Sequence, residues 1–256
     1  MSQGKELVEI PEHVQAKAFG CDYDHHEEYL RYDVPGAGAC FFHSVCAALV
    51  VGNLVENNKV VFLLETSNIV YQLFEVDLES SLEESFEQVG VMLRKRLAQE
   101  LKATPKLFDD FLSSTRIFEG TASSTKRDVS RQITDLLEAT IWADTWTIKY
   151  TSWRLKVNFL FVNPTDVDYH PFYCGVEDFR SADLNVFIYW SGHMHFEPVF
   201  RVDQKQGNTA IKVTRAFSAT DPLVACFMAQ YKETCPATPI QGKPSLLVTK
   251  HLILDI

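Results

Sequence analysis

The chain has 256 residues, 46% of them apolar and 12% aromatic, with a formal net charge of -10. That length and composition describe a folded protein with a sizeable core and exclude a mostly disordered chain. No apolar run reaches the length needed to span a bilayer, which excludes a membrane span, and an acidic surface repels phosphate backbones, which argues against general nucleic-acid binding.

The amino terminus, MSQGKELVEIPEHVQ, lacks the basic segment and apolar core of a secretory signal. Charge is uneven: residues 201–256 hold 7 Lys+Arg against 4 Asp+Glu, while residues 1–200 hold 17 against 30. The stretch Glu65 to Glu87 carries seven carboxylates and no Lys or Arg, either a solvated helical face or an acidic face for a basic partner. Six cysteines (Cys21, Cys40, Cys46, Cys174, Cys226, Cys235) form no CxxC pair and no zinc-finger spacing. They read as reduced thiols of a cytoplasmic protein, each by default a small buried hydrophobe, and no cofactor is expected.

In chain order, CFFHSVCAALV from Cys40 has apolar residues at 42, 45, 46 and 49 and predicts a helix stopped at Gly52. KVVFLLETSNIVYQLF predicts a second helix. SLEESFEQVGVMLRKRLAQEL is the clearest helix, with Leu82, Phe86, Val89, Leu93 and Leu97 on one stripe, Glu early and Lys/Arg late. Thr104-Pro105 restarts a short helix through Leu112, and residues 128 to about 149 are expected to be helical. The period then changes. LKVNFLFV, NVFIYW and FEPVFRV are aromatic and β-branched and predict strands of one buried sheet. TDPLVACFMAQY predicts a helix, and SLLVTKHLILDI a last strand.

The segment that suggests chemistry is Val34-Pro35-Gly36-Ala37-Gly38-Ala39-Cys40-Phe41-Phe42, a Pro/Gly loop running into a helix with cysteine at the junction. A helix N-terminus presents free N–H groups and partial positive charge, which stabilise a thiolate. Loop glycines let N–H groups turn toward a carbonyl, as an oxyanion hole requires. A buried cysteine at an ordinary loop–helix junction accounts for the same spacing. A base is available in His195, with Glu197 two residues on, facing the same way if the strand is extended. The carboxylate would then hold the imidazole tautomer. His193 lies on that face too, so His193-x-His195 could be half of a metal site, though no further ligands follow at short range and none is expected to bind.

Three ordered blocks resemble the OTU (ovarian tumour) family of papain-like cysteine proteases, whose best-known members are deubiquitinases. They are Val34 to Phe42, Trp142-Ala143-Asp144-Thr145-Trp146-Thr147-Ile148 leading into Leu155 to Val162, and His195-Phe196-Glu197. The resemblance implies an α+β, papain-like fold with a central, mostly antiparallel sheet between helical layers. It implies a protease core over residues 30–202, with an N-terminal extension 1–29 and a C-terminal extension 203–256 packed on the core. It further implies a thiol-dependent deubiquitinase with Cys40 as nucleophile, His195 as base and Glu197 as orienting acid. Gly36, Ala37, Gly38 and Ala39 would form the oxyanion loop, and Trp190 either walls the channel for a Gly-Gly tail or is a core aromatic. The partners implied are ubiquitin or polyubiquitin, with ubiquitin-like modifiers as further candidates. The location implied is the cytoplasm, that of a host if the source is a virus or an intracellular bacterium.

This sequence departs from the family at Ala37, where the family carries an Asp that helps organise the oxyanion loop; Asp33 is the nearby acid that could replace it. Asp33 and Asn185 are also alternatives to Glu197 as the group orienting His195. The rival functions are a protease cutting a polyprotein or a ubiquitin-like modifier, and a ubiquitin-binding module without turnover.

Overall fold

The computed structural model describes residues 7–19, 27–36, 38–49, 82–114, 128–138, 140–163, 172–174, 184–191, 195–203 and 212–234. The helix expected from KVVFLLETSNIVYQLF, the strand expected from SLLVTKHLILDI, most of the Glu65–Glu87 run, Ala37 and His193 lie outside the described residues.

The elements are β1 (Leu7–Glu9), α1 (Glu12–Phe19), β2 (Glu27–Tyr32), α2 (Cys40–Leu49), α3 (Leu82–Ala103), α4 (Lys106–Ser114), α5 (Val129–Leu137), α6 (Thr145–Leu155), β3 (Val157–Val162), β4 (Phe172–Cys174), β5 (Leu184–Trp190), β6 (Phe196–Asp203), β7 (Lys212–Thr214) and α7 (Pro222–Thr234). Among the described residues seven strands join one sheet in the order β1-β2-β6-β5-β3-β4, with β7 also paired to β6. Of these pairs, β3 with β5 is parallel and the others are antiparallel. The class is therefore α+β with a mostly antiparallel sheet.

Strand periodicity divides the core in two. Phe159 and Phe161 of β3 and Val186, Ile188 and Trp190 of β5 join a cluster with α2, α3, α4, α5 and α6. Leu160, Val162, Phe187 and Tyr189 point the other way, into a cluster with α1 and α7. Helical layers thus cover both faces, which is why β3 and β5 are apolar along nearly their whole length rather than alternating. Residues before the Pro/Gly loop and beyond 203 are woven into this arrangement. Strand β2 pairs with β6 from Glu27 to Arg31, and α7 buries Leu223, Val224 and Phe227 on the second cluster.

The expected helix over 128–149 is two. Asp128 caps α5 by accepting from the Arg131 N–H, and Asp144 caps α6 by accepting from the Thr147 N–H. The break falls between Glu138, which ends α5 in extended backbone, and Asp144, whose side chain offers the N–H groups of a new first turn a local partner. Lys156 ends α6 in the left-handed conformation (φ 54°), and β3 begins at the next residue.

Helix α2 differs from its sequence pattern: all ten residues are buried, not only the apolar stripe. Its neighbour α3 comes unusually close. A Cβ at Gly90 would run into His43 Nδ1 and lie 2.9 Å from the His43 backbone nitrogen and 3.0 Å from its Cα. The mid-helix glycine, which costs about 1 kcal/mol in propensity against Ala, is thus required by backbone contact. One turn on, the same face of α3 carries Arg94 to the start of α2.

Candidate active site

The first turn of α2 sets the site. The Ala39 carbonyl accepts from the His43 N–H at 3.0 Å, so Ala39 is the cap and Cys40 the first helical residue. The N–H groups of that first turn have no acceptor within the helix, which makes it an anion-favouring end. Cys40 is fully buried at this point. Cys46, deeper in the helix, is also buried, and desolvation pushes its thiol pKa far above the ordinary value, so it is inert.

His195 is held where β5 turns into β6. The Ser191 N–H donates to the His195 carbonyl at 3.2 Å, closing the hairpin. Ser44 fixes this corner against the nucleophile helix. Its hydroxyl lies 2.9 Å from the Cys40 carbonyl and 2.8 Å from the Phe196 carbonyl, and its one proton serves either. The imidazole is flanked by Cys40 and Glu197. Hydrogen bonds to the Cys40 and Glu197 side chains, in that order, push its pKa up to about 10 against the opposing effect of burial.

The sequence offered three partners for the far side of this ring. His195 Nε2 is 3.3 Å from Glu197 Oε1 and 3.9 Å from Asp33 Oδ1. The Glu197 side chain is 5% exposed, whereas that of Asp33 is 61% exposed, so the former acts through far less water. Asn185 is not at the site. It is buried in the sheet, accepting from Asn158 Nδ2 at 2.8 Å and donating to the Phe217 carbonyl at 3.1 Å. Its polar character serves to satisfy the sheet interior.

Glu197 also has a partner that sequence reasoning missed. Arg31 Nη1 donates to Glu197 Oε2 at 2.6 Å, and its guanidinium lies over the Tyr189 ring at 5.1 Å. Burial alone would raise the Glu197 pKa, but the bonds and charges of His195 and Arg31 outweigh it and hold the carboxyl below its ordinary value. No local pattern marks Arg31; only the register that sets it opposite Val199 of β6 brings it to Glu197.

A second missed residue is Arg94, nearly completely buried, whose Nη1 donates to the Gly38 carbonyl at 2.9 Å. Arg94 lies off the stripe read from Leu82 to Leu97 and among the basic residues late in α3, so no local pattern set it apart. Of the loop glycines, Gly36 has open space around it and no left-handed φ, so the resting fold does not require glycine there. Trp190 ends β5 opposite Phe196, in the main core cluster and 6% exposed.

Ligand atoms of Asp33, His195 and Glu197 lie within 4.8 Å of one another, close enough in principle for one cation. The same atoms are an imidazolium with two carboxylates, which needs no ion to account for it.

No protein-family model matches the sequence, and no curated protein does. Solved structures are similar. An OTU domain in complex with ubiquitin shares 13% identity, with 82% of this chain and 86% of that chain covered and a TM-score of 0.42. An OTU deubiquitinase from Wolbachia pipientis wMel bound to ubiquitin shares 16%, covering 67% and 94%, with a TM-score of 0.35. The viral OTU domain protease from Dera Ghazi Khan virus shares 19%, covering 67% and 80%, with a TM-score of 0.34. These are likenesses to the chain; the reading of its chemistry rests on Cys40, His195 and Glu197.

Proposed function

We propose that the protein is a cysteine protease of the deubiquitinase type, hydrolysing the bond after the Gly-Gly tail of ubiquitin. The observation that carries the reading is the convergence of a thiol at a helix N-terminus, an imidazole against it and a buried carboxylate behind the imidazole. Three groups in that order form the apparatus of nucleophilic acyl transfer. A ubiquitin-binding module would have no use for it.

In the proposed reaction Cys40 Sγ, its proton taken by His195, forms a bond to the carbonyl carbon of the terminal glycine. Negative charge moves to the carbonyl oxygen, beside the first-turn N–H groups of α2. The imidazolium gives its proton to the lysine amine, the C–N bond breaks, and a thioester remains. Water, deprotonated by His195, then releases the carboxylate and the Cys40 thiol. Glu197 fixes the ring and stabilises its positive charge. The burial of Cys40 disfavours substrates with side chains at the reacting end, which suits a Gly-Gly tail. The acidic chain suits a ubiquitin tail that is basic just before its glycines.

The test is a ubiquitin bearing an electrophilic C-terminus. Covalent labelling at Cys40, lost in Cys40→Ala, together with cleavage of diubiquitin, is the expected result. Absence of both, with the wild-type protein folded, would overturn the reading. Labelling by a ubiquitin-like modifier alone would redirect it to that substrate.

A further inference from the structure

Among the described residues, Arg94 donates to four backbone carbonyls from three segments. Its Nε donates to Leu136 at 2.8 Å, Nη1 to Gly38 at 2.9 Å, and Nη2 to Ile141 at 2.7 Å and to Asp135. Asp135 and Leu136 lie in the last turn of α5, whose carbonyls form its negative end. The guanidinium also lies over the Phe42 ring at 5.4 Å. One side chain, 2% exposed, therefore ties α3 and the end of α5 to the peptide just before the nucleophile.

The consequence lies in the peptide itself. In a trans peptide the N–H and C=O point in opposite directions. With the Gly38 carbonyl drawn toward Arg94, the Ala39 N–H must face away from α3. It then joins the N–H groups that open α2 on the side where the acyl oxygen would gather charge. Residue 37 is alanine and offers no polar side chain to hold this loop. We infer that Arg94 is the positioning residue of the oxyanion loop, locking the Gly38–Ala39 peptide so that the Ala39 N–H is a preformed oxyanion donor. This rests on the acyl-transfer reading above. Lysine keeps the charge but not the planar fork that reaches several carbonyls at once.

Two measurements decide it. In Arg94→Lys, kcat for a ubiquitin C-terminal substrate should fall about 100-fold, the scale of one lost oxyanion donor, with KM changed less than about twofold. Affinity for ubiquitin aldehyde, which captures the thiol as a tetrahedral adduct, should fall in parallel. Alkylation of Cys40 by iodoacetamide, which forms no oxyanion, should stay within about threefold of wild type. A merely structural role would depress alkylation and turnover together, and that result, or an unchanged kcat, overturns the inference.

The second measurement needs no variant. In wild-type protein the Ala39 amide proton should move downfield when ubiquitin aldehyde binds. An adduct that leaves this amide unmoved refutes the role of Arg94 while sparing the activity. Failure of the wild type to form any adduct refutes the activity itself, and this inference with it.

Discussion

Arg31 Nη1 lies 2.6 Å from Glu197 Oε2, while the other oxygen of the same carboxylate faces His195 Nε2 at 3.3 Å. The acid is thereby fixed from behind by a cation and spends its free oxygen on the imidazole. Arg31 stands opposite Val199, two residues along β6 from Glu197, so the bond is a diagonal cross-strand contact on one face of the sheet. It couples an early strand, β2, to the orientation of the base.

Cys40→Ala should abolish hydrolysis while ubiquitin binding survives, a loss of several orders of magnitude in rate. His195→Ala should be nearly as damaging, and His193→Ala much less so. Cys46→Ala, in the same helix, should keep its chemistry and lose about 1 kcal/mol of stability from the void left in a packed helix. Purified variants assayed on diubiquitin, with urea unfolding alongside, check all four. Substantial turnover by Cys40→Ala would reject the nucleophile.

Glu197→Gln should lower kcat about 10- to 100-fold and leave measurable activity, because a mis-held imidazole still samples the useful tautomer. Arg31→Met should act in the same direction and more weakly, since it frees the carboxylate without removing it. Asp33→Asn should change kcat little, its carboxylate being exposed and farther from the ring. An Asp33→Asn defect larger than that of Glu197→Gln would exchange their roles.

The His195 ring should hold its proton up to about pH 10, read from the imidazole resonances across a pH series. Cys40→Ala should lower that value more than Glu197→Gln does, because the Cys40 bond is the larger cause. With the thiol gone, the folded state still binds the imidazole proton more tightly than the unfolded chain. That stability is fully present below about pH 6.5 and is lost as pH rises through the folded value. Stability of Cys40→Ala that increased with pH across this window would contradict the Glu197 contact.

Activity should survive EDTA and require a reductant, since the proposed nucleophile is a cysteine sulfur open to oxidation. Loss of activity in chelator, restored by zinc, would assign the Asp33–His195–Glu197 cluster to a metal.

Gly90→Ala should destabilise the fold by about 1–3 kcal/mol, although alanine is the better helix former. The added methyl meets the His43 backbone of α2, which cannot retreat within a fully buried helix. A stabilised Gly90→Ala protein would show that the two helices can part.

Much of this protein follows from local pattern. The runs at 157–162, 185–190 and 196–202 are rich in aromatic and β-branched residues, and each is a strand. The loop-to-helix junction at Cys40 and the His195-x-Glu197 spacing are likewise short-range features, set by backbone geometry over a few residues. The split of 128–149 into two helices was legible in principle from Asp144, a cap residue inside the run, but the surrounding helical pattern outweighs that single signal. What the tertiary structure alone decided is which distant polar groups meet. Ser44 and the Phe196 carbonyl are 152 residues apart, Arg31 and Glu197 166, and Arg94 and the Gly38 carbonyl 56. Such contacts leave no period in the sequence, because a buried polar group takes whichever partner the packed elements bring within reach. Asn185 went to the sheet interior and Arg94 to the nucleophile loop for that one reason: each had to satisfy its hydrogen bonds where the fold had placed it.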